Sequence, residues 1–239
     1  MPCPVPFRTF LPALAGLALS LTAQTARAAP CIDLRLVLAI DSSGSIDAGE
    51  FQLQIDGYLR ALSDPSVIRA IAAAGQVEIG VVFWADDQEP LTVVPPGRVD
   101  QGRGRAALAA ALQASPRAIQ GSTGIGRGLD AALTMLAAGG CADRLVVDVS
   151  GDGRESRVPR PVSFLPLWLA RERAETLGVT VNGLSVGDED PGIHDWYHHE
   201  VILGPDAFAV SVDDWEDFAS AIRDKLIREI RPPQFAAAD

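Results

Sequence analysis

Positive charge, cysteine and long apolar runs are all scarce in this chain of 239 residues, and each shortage narrows what it can be. Lys and Arg total 20 against 31 Asp and Glu, a formal net charge of −11, and so acidic a chain makes nucleic acid an unfavourable partner. Only one apolar run, Phe10 to Leu21, is long enough to consider for a membrane. At about a dozen residues it has the length of a signal-peptide core, not of a span, and nothing like it recurs downstream. No Gly-x-Ser-x-Gly elbow occurs, and all three histidines fall between His194 and His199, so no serine nucleophile has a base assigned to it by sequence. No repeat or low-complexity block divides the chain.

What is present begins with a processing signal. Arg8 precedes the apolar run, and Ala26 and Ala28 bracket Arg27 in an Ala-x-Ala pattern, which predicts cleavage just before Ala29. Pro30 before Cys31 argues against lipid attachment. The expected organisation is a signal peptide over 1–28, one domain over 29–231 and a tail over 232–239, giving an exported product, periplasmic or secreted. Cleavage removes Arg8 and Arg27 and no acidic residue, which takes the formal charge from −11 to −13. It also removes Cys3 and leaves Cys31 and Cys141 in a compartment where disulfides persist.

Along the domain, buried-strand runs alternate with helical stretches. Leu34 to Ile40, Val77 to Trp84, Leu145 to Val149 and Val179 to Val186 read as strands, with a short return strand at Leu91 to Val94 and another at Ala207 to Val210. Asp47 and Glu50 form the N-cap and N3 of a capping box opening a helix to about Leu62. Further helices are expected over 65–74, 105–114, 125–138, 162–177, around 194–202 and 214–230, where Pro232 and Pro233 stop the last. This rhythm predicts an α/β fold: a doubly wound, mostly parallel six-stranded sheet with helices on both faces. Ligands of such sheets bind outside the carboxyl ends of the strands.

Three polar segments fall at those ends: Asp41-Ser42-Ser43-Gly44-Ser45, Gly121-Ser122-Thr123-Gly124 and Ser150-Gly151-Asp152-Gly153. In them the chain resembles the von Willebrand factor type A family, and the closing stretch, with VILGPDAFAV and KLIREI, resembles a secreted bacterial subgroup of it. The resemblance implies a metal-ion-dependent adhesion site made by Asp41, Ser43, Ser45, Thr123 and Asp152. Short hydroxyl donors and carboxylates suit a hard divalent cation, Mg²⁺ before Mn²⁺ or Ca²⁺. If the carboxylates act through waters or hydroxyls, as the resemblance implies, the ion stays electron-poor and seeks an anionic ligand, an Asp or Glu carboxylate of another protein. An exported metal-dependent protein-binding module is therefore the expected function, and an exported metal-dependent hydrolase is the alternative.

Cys31 lies ten residues before Asp41 and Cys141 eleven before Asp152, on strands that the doubly wound order makes neighbours. A Cys31–Cys141 disulfide at the opposite edge of the sheet is expected, with two independent buried thiols as the competing reading. His194, Asp195 and His198 have a two-histidine zinc spacing but lack the Glu base and an evident third ligand, so a solvated or interfacial helix face accounts for them better. Gly124, Gly126 and Gly128 resemble part of a dinucleotide fingerprint, in the wrong place and without an acidic ribose partner. Asp86, Asp87, Glu89, Asp188, Glu189 and Asp190 fall on loops near the expected metal rim, where they serve solubility or attract the cation.

Overall fold

The computed structural model describes residues 31–85, 92–100, 102–117, 121–156, 165–187 and 190–232. The expected signal peptide, the 86–90 turn with its acidic residues, Asp188, Glu189 and the tail beyond Pro232 lie outside them. The described chain forms β1 (Leu34–Asp41), α1 (Ala48–Ser63), α2 (Pro65–Ala74), β2 (Val77–Trp84), β3 (Thr92–Arg98), α3 (Gly102–Ala114), α4 (Ile125–Ala138) and β4 (Leu145–Gly151). α5 (Leu167–Thr176), β5 (Thr180–Val186), α6 (Ile193–Trp196) with a π-helical turn (Tyr197–Val201), β6 (Ala209–Val212) and α7 (Phe218–Ile230) follow. The strands make one sheet in the order β3-β2-β1-β4-β5-β6. Every neighbouring pair is parallel except β2 with β3.

The central strands are apolar on both faces because helices cover both. Leu34, Leu36, Leu38 and Ile40 of β1 face a core built with Phe51 and Ile55 of α1, Val67 and Ile71 of α2, Leu108 and Leu112 of α3 and Leu226 of α7. Their alternates Val37 and Ala39 face a second core with Leu129 and Leu133 of α4, Ala170 of α5 and Tyr197. The period of two along each strand thus feeds two separate cores. β1 and β4 occupy the middle of the sheet, and the strand order reverses between them, the position at which a doubly wound sheet opens a crevice.

Local chemistry explains the element ends. Asp47 caps α1, accepting from the backbone N–H of Gly49 and Glu50, while Glu50 accepts from Asp47 N, the reciprocal capping box read from sequence. β3 continues beyond Val94 through Pro95 and Pro96 to Arg98. An edge strand tolerates proline because one side of its backbone has no partner to bond. α5 begins at Leu167, after Pro166 at its N-cap, because Leu165 precedes a proline and is disfavoured in helical geometry. α7 begins at Phe218 instead of Asp214: Asp214 Oδ1 accepts from Asp217 N at 3.2 Å, holding 214–217 as a turn. The helix expected around 194–202 is a single α-turn that widens into the π-turn, closed by Ile202 N donating to Tyr197 O at 3.1 Å.

At the amino edge of the sheet, Cys31 and Cys141 are joined by a disulfide across 110 residues, beside the parallel bridge of Ile32 with Ala142. It ties the entrance of β1 to that of β4, leaving their carboxyl ends for the site. Among the described residues no helix is long and apolar enough to cross a membrane.

Candidate metal centre

Asp41 is the last residue of β1 and is fully buried. Its Oδ1 accepts from Ser43 N at 2.7 Å, a turn that bends the chain sharply off the strand and brings the next hydroxyls back over the sheet edge. Ser43 Oγ lies 3.2 Å from Ser45 Oγ, which donates to Asp152 Oδ1 at 2.8 Å. Gly44 N donates to Gly121 O at 2.8 Å and so ties the loop after β1 to the loop before α4. That second loop is clamped in turn to the one after β4: Thr123 N donates to Ser156 Oγ and Ser156 N to Thr123 O, both at 3.0 Å. Ser43 and Asp152 are buried, Thr123 is half-buried and Ser45 is exposed, so the cluster opens to solvent on its hydroxyl side.

The glycines flanking Asp152 are there for space. A Cβ at Gly151 would stand 2.6 Å from Asp41 Oδ2, and one at Gly153 would stand 2.9 Å from Thr123 Oγ1. Asp41 and Thr123 therefore approach the backbone on either side of Asp152, and all five residues singled out by sequence meet at one corner of the sheet. The segment also explains the misplaced glycine fingerprint: side chains at Gly126 and Gly128 would run into Leu165 O and the Trp84 ring, which makes them packing glycines of α4.

The corner is electrostatically unfinished. Burial, and then the neighbouring Asp152 carboxylate, push the Asp41 carboxyl well above the usual carboxylate range. Asp41 Oδ2 is buried and accepts no hydrogen bond from the described residues. Tyr197 Oη, which would stand 2.8 Å from a Cβ at Gly151, is likewise buried without a partner. Burial, then Asp41 and Asp152, raise its phenol well above the ordinary value. The positive ends of α1 and α4 begin just beyond the first two loops, and each is met by a carboxylate: Asp47 on α1 and Glu155 Oε2, which accepts from Gly126 N at 3.1 Å, on α4. A buried Asp41 oxygen without a described donor, the neighbouring Asp152 carboxylate, three hydroxyls and helix ends already met by carboxylates fit a hard divalent cation. Tyr197 was not identified from sequence, since an aromatic in the HDWYHH stretch carries no local sign of which loop it reaches.

Asp190 of the acidic rim is paired with Arg154 at 2.6 Å. Among the described residues no group of three or more His, Cys, Asp or Glu side chains is arranged to hold a metal ion, and His194 Nδ1 is buried without a hydrogen bond.

Solved structures share this architecture at low sequence identity. The pilus adhesin SpaC from Lactobacillus rhamnosus GG matches with a TM-score of 0.63 at 17% identity, over 83% of this chain and 31% of its own. A von Willebrand factor type A protein from Catenulispora acidiphila matches with a TM-score of 0.57 at 17% identity, over 84% and 43%. Proximal thread matrix protein 1 from the mussel byssus, in a structure described as having a zinc-occupied MIDAS motif, matches with a TM-score of 0.54 at 15% identity, over 82% and 47%. The chain spans less than half the length of each of these three proteins. No curated protein matches the sequence. The fold is thus that of von Willebrand factor type A domains, and the chain belongs to the family described as "Protein of unknown function (DUF1194)", whose model matches residues 30–234.

Proposed function

We propose that the chain is an exported protein-binding module in which Asp41, Ser43, Ser45, Thr123 and Asp152 hold one divalent cation, Mg²⁺ in the first instance, for an acidic ligand on another protein. The observation that carries this reading is the linkage of Ser43, Ser45 and Asp152 through their side-chain oxygens, beside a buried Asp41 oxygen that nothing in the described chain satisfies. A bound cation would supply positive charge beside the buried Asp41 carboxyl and a Lewis-acidic position for a carboxylate. The chain's own residues do the rest: Ser45 and Thr123 leave the hydroxyl side open, and the Ser156 clamp keeps Thr123 in register. The adhesin and the MIDAS-bearing byssus protein among the structural relatives support an adhesion-type use of such a site, and the signal-peptide pattern at 1–28 supports export.

Calorimetric titration of the chelator-stripped chain with MgCl₂, MnCl₂ and ZnCl₂ tests the reading. One site per chain is expected, lost in Asp152→Ala. Absence of heat with all three ions on folded protein would overturn it.

A further inference from the structure

The chain has a single lysine, Lys225, and α7 places it where a lysine is rarely found. Its side chain is 0% exposed, with Nζ 2.5 Å from Asp148 Oδ1 and 2.6 Å from Glu229 Oε1, both of them also 0% exposed. Asp148 sits in the middle of β4, in register with Leu38 of β1 and Asn182 of β5. Asn182 Nδ2 donates to Glu229 Oε1 at 2.9 Å, and Asn182 Oδ1 accepts from Phe208 N at 3.1 Å, so the carboxylate facing the amine is held from behind. The Phe208 ring, 5.6 Å from Nζ, walls the chamber.

This is a poor resting place for ions. One ammonium and two carboxylates leave a surplus negative charge without water, and desolvation of buried ions offsets much of their attraction. Lys225 Nζ stands directly against Asp148 Oδ1, with both side chains fully buried. Nζ lies at most one C–O bond length further from Cγ than its 2.5 Å from Oδ1, close to the roughly 3–3.5 Å of near-attack geometry. Moving a proton from the ammonium to a carboxylate produces a neutral amine and a neutral acid, the two forms that condense.

We propose that Lys225 Nζ and Asp148 Cγ form an intramolecular isopeptide bond, with Glu229 as the proton carrier, which fastens α7 covalently to β4. The neutral amine attacks Cγ of the protonated Asp148 carboxyl and the N–C bond forms. Glu229 takes one amine proton and returns it to the departing hydroxyl, the C–O bond breaks, and one water leaves. No oxidant or reductant is required, and the neutral amide replaces the ion pair. Burial, and then the Asp148 carboxylate, raise the Glu229 carboxyl to about 7, so near neutral pH it can both accept and return the proton. A cleft of about 540 Å³ lined by Asn182, Phe208 and Glu229 gives the water a way out. With the disulfide at the entrance of β4, the bond would fix this central strand to β1 at one end and to α7 in its middle.

The mass of the full chain, reduced and denatured, tests this without any variant. It is expected to be one water lighter than its sequence, with a linked peptide containing Asp148 and Lys225. Because Lys225 is the only lysine, an amine-reactive reagent in denaturant should label the α-amino group alone. Lys225→Arg should restore the full mass, and Glu229→Gln should slow or abolish the loss of water. A wild type of full mass that accepts a second amine label overturns the proposal, and undiminished water loss in Glu229→Gln overturns the part given to Glu229.

Discussion

Two pairs of buried carboxylates lie among the described residues, and their surroundings differ. In the interior, Asp148 and Glu229 are 0% exposed and share the Lys225 ammonium group. At the carboxyl edge of the sheet, Asp41 and Asp152, 0% and 6% exposed, lie beside the hydroxyl-bearing Ser43 and Ser45. The first pair brings its own counter-charge on α7. The second is built with carboxylates and hydroxyls of the types that suit a hard cation. A buried negative charge is retained at a cost only where something compensates it, and the two proposals place that compensation inside the chain at one pair and in solution at the other.

The comparison breaks most visibly at the fastening. Lys225→Met removes the amine on which both the ion pair and the proposed bond depend, leaves Asp148 and Glu229 buried without it, and should destabilise the chain by about 3–5 kcal/mol in denaturant titrations with the disulfide intact. If the other pair takes a cation as proposed, Mg²⁺ at a hundred times its dissociation constant should stabilise the wild type by about 2.7 kcal/mol, and Asp152→Ala should show no rise in Tm on adding the ion. Gly153→Ala keeps every ligand but crowds Thr123 Oγ1, and should weaken cation binding about 10- to 100-fold in calorimetry, the range for residues that position a ligand. The smallest effect sharpens the contrast. Asp41→Asn preserves the Ser43 turn and removes surplus charge, so in chelator its stability should stay within about 1 kcal/mol of wild type or rise, while its cation uptake disappears. A large loss of stability there would mean that the edge pair, too, is compensated from within.

The fold was legible in sequence wherever its cause is local or periodic. Runs such as Leu34 to Ile40 and Leu145 to Val149 announce strands covered on both faces, and Asp47 with Glu50 announces the start of α1. The candidate ligands were legible for a related reason: Asp41, Thr123 and Asp152 stand where apolar runs stop or a glycine loop opens, and the alternation of elements sends those points to one edge. The reading failed where pairing decides the outcome. Pro95 and Pro96 look like a strand end but continue β3, because that strand lies at the edge of the sheet.

Lys225 and Glu229 show the limit most clearly. Spaced four apart on a helix, they are by sequence the same as any solvated ion pair, and only the packing of α7 against the sheet brings Asp148 to Lys225 and buries all three. Tyr197 is the same case at the other end, an aromatic whose hydroxyl reaches the Asp41 corner because the π-turn packs against β5. Sequence alone determined the order of strands and helices, the capping of α1 and the oxygen-bearing types at the strand ends, since these depend on periodicity and neighbours within a few residues. Tertiary structure alone decided that Asp148 and Glu229 meet Lys225 and that Asp41 meets Asp152, since that depends on groups far apart in the chain being brought within a few ångströms of one another.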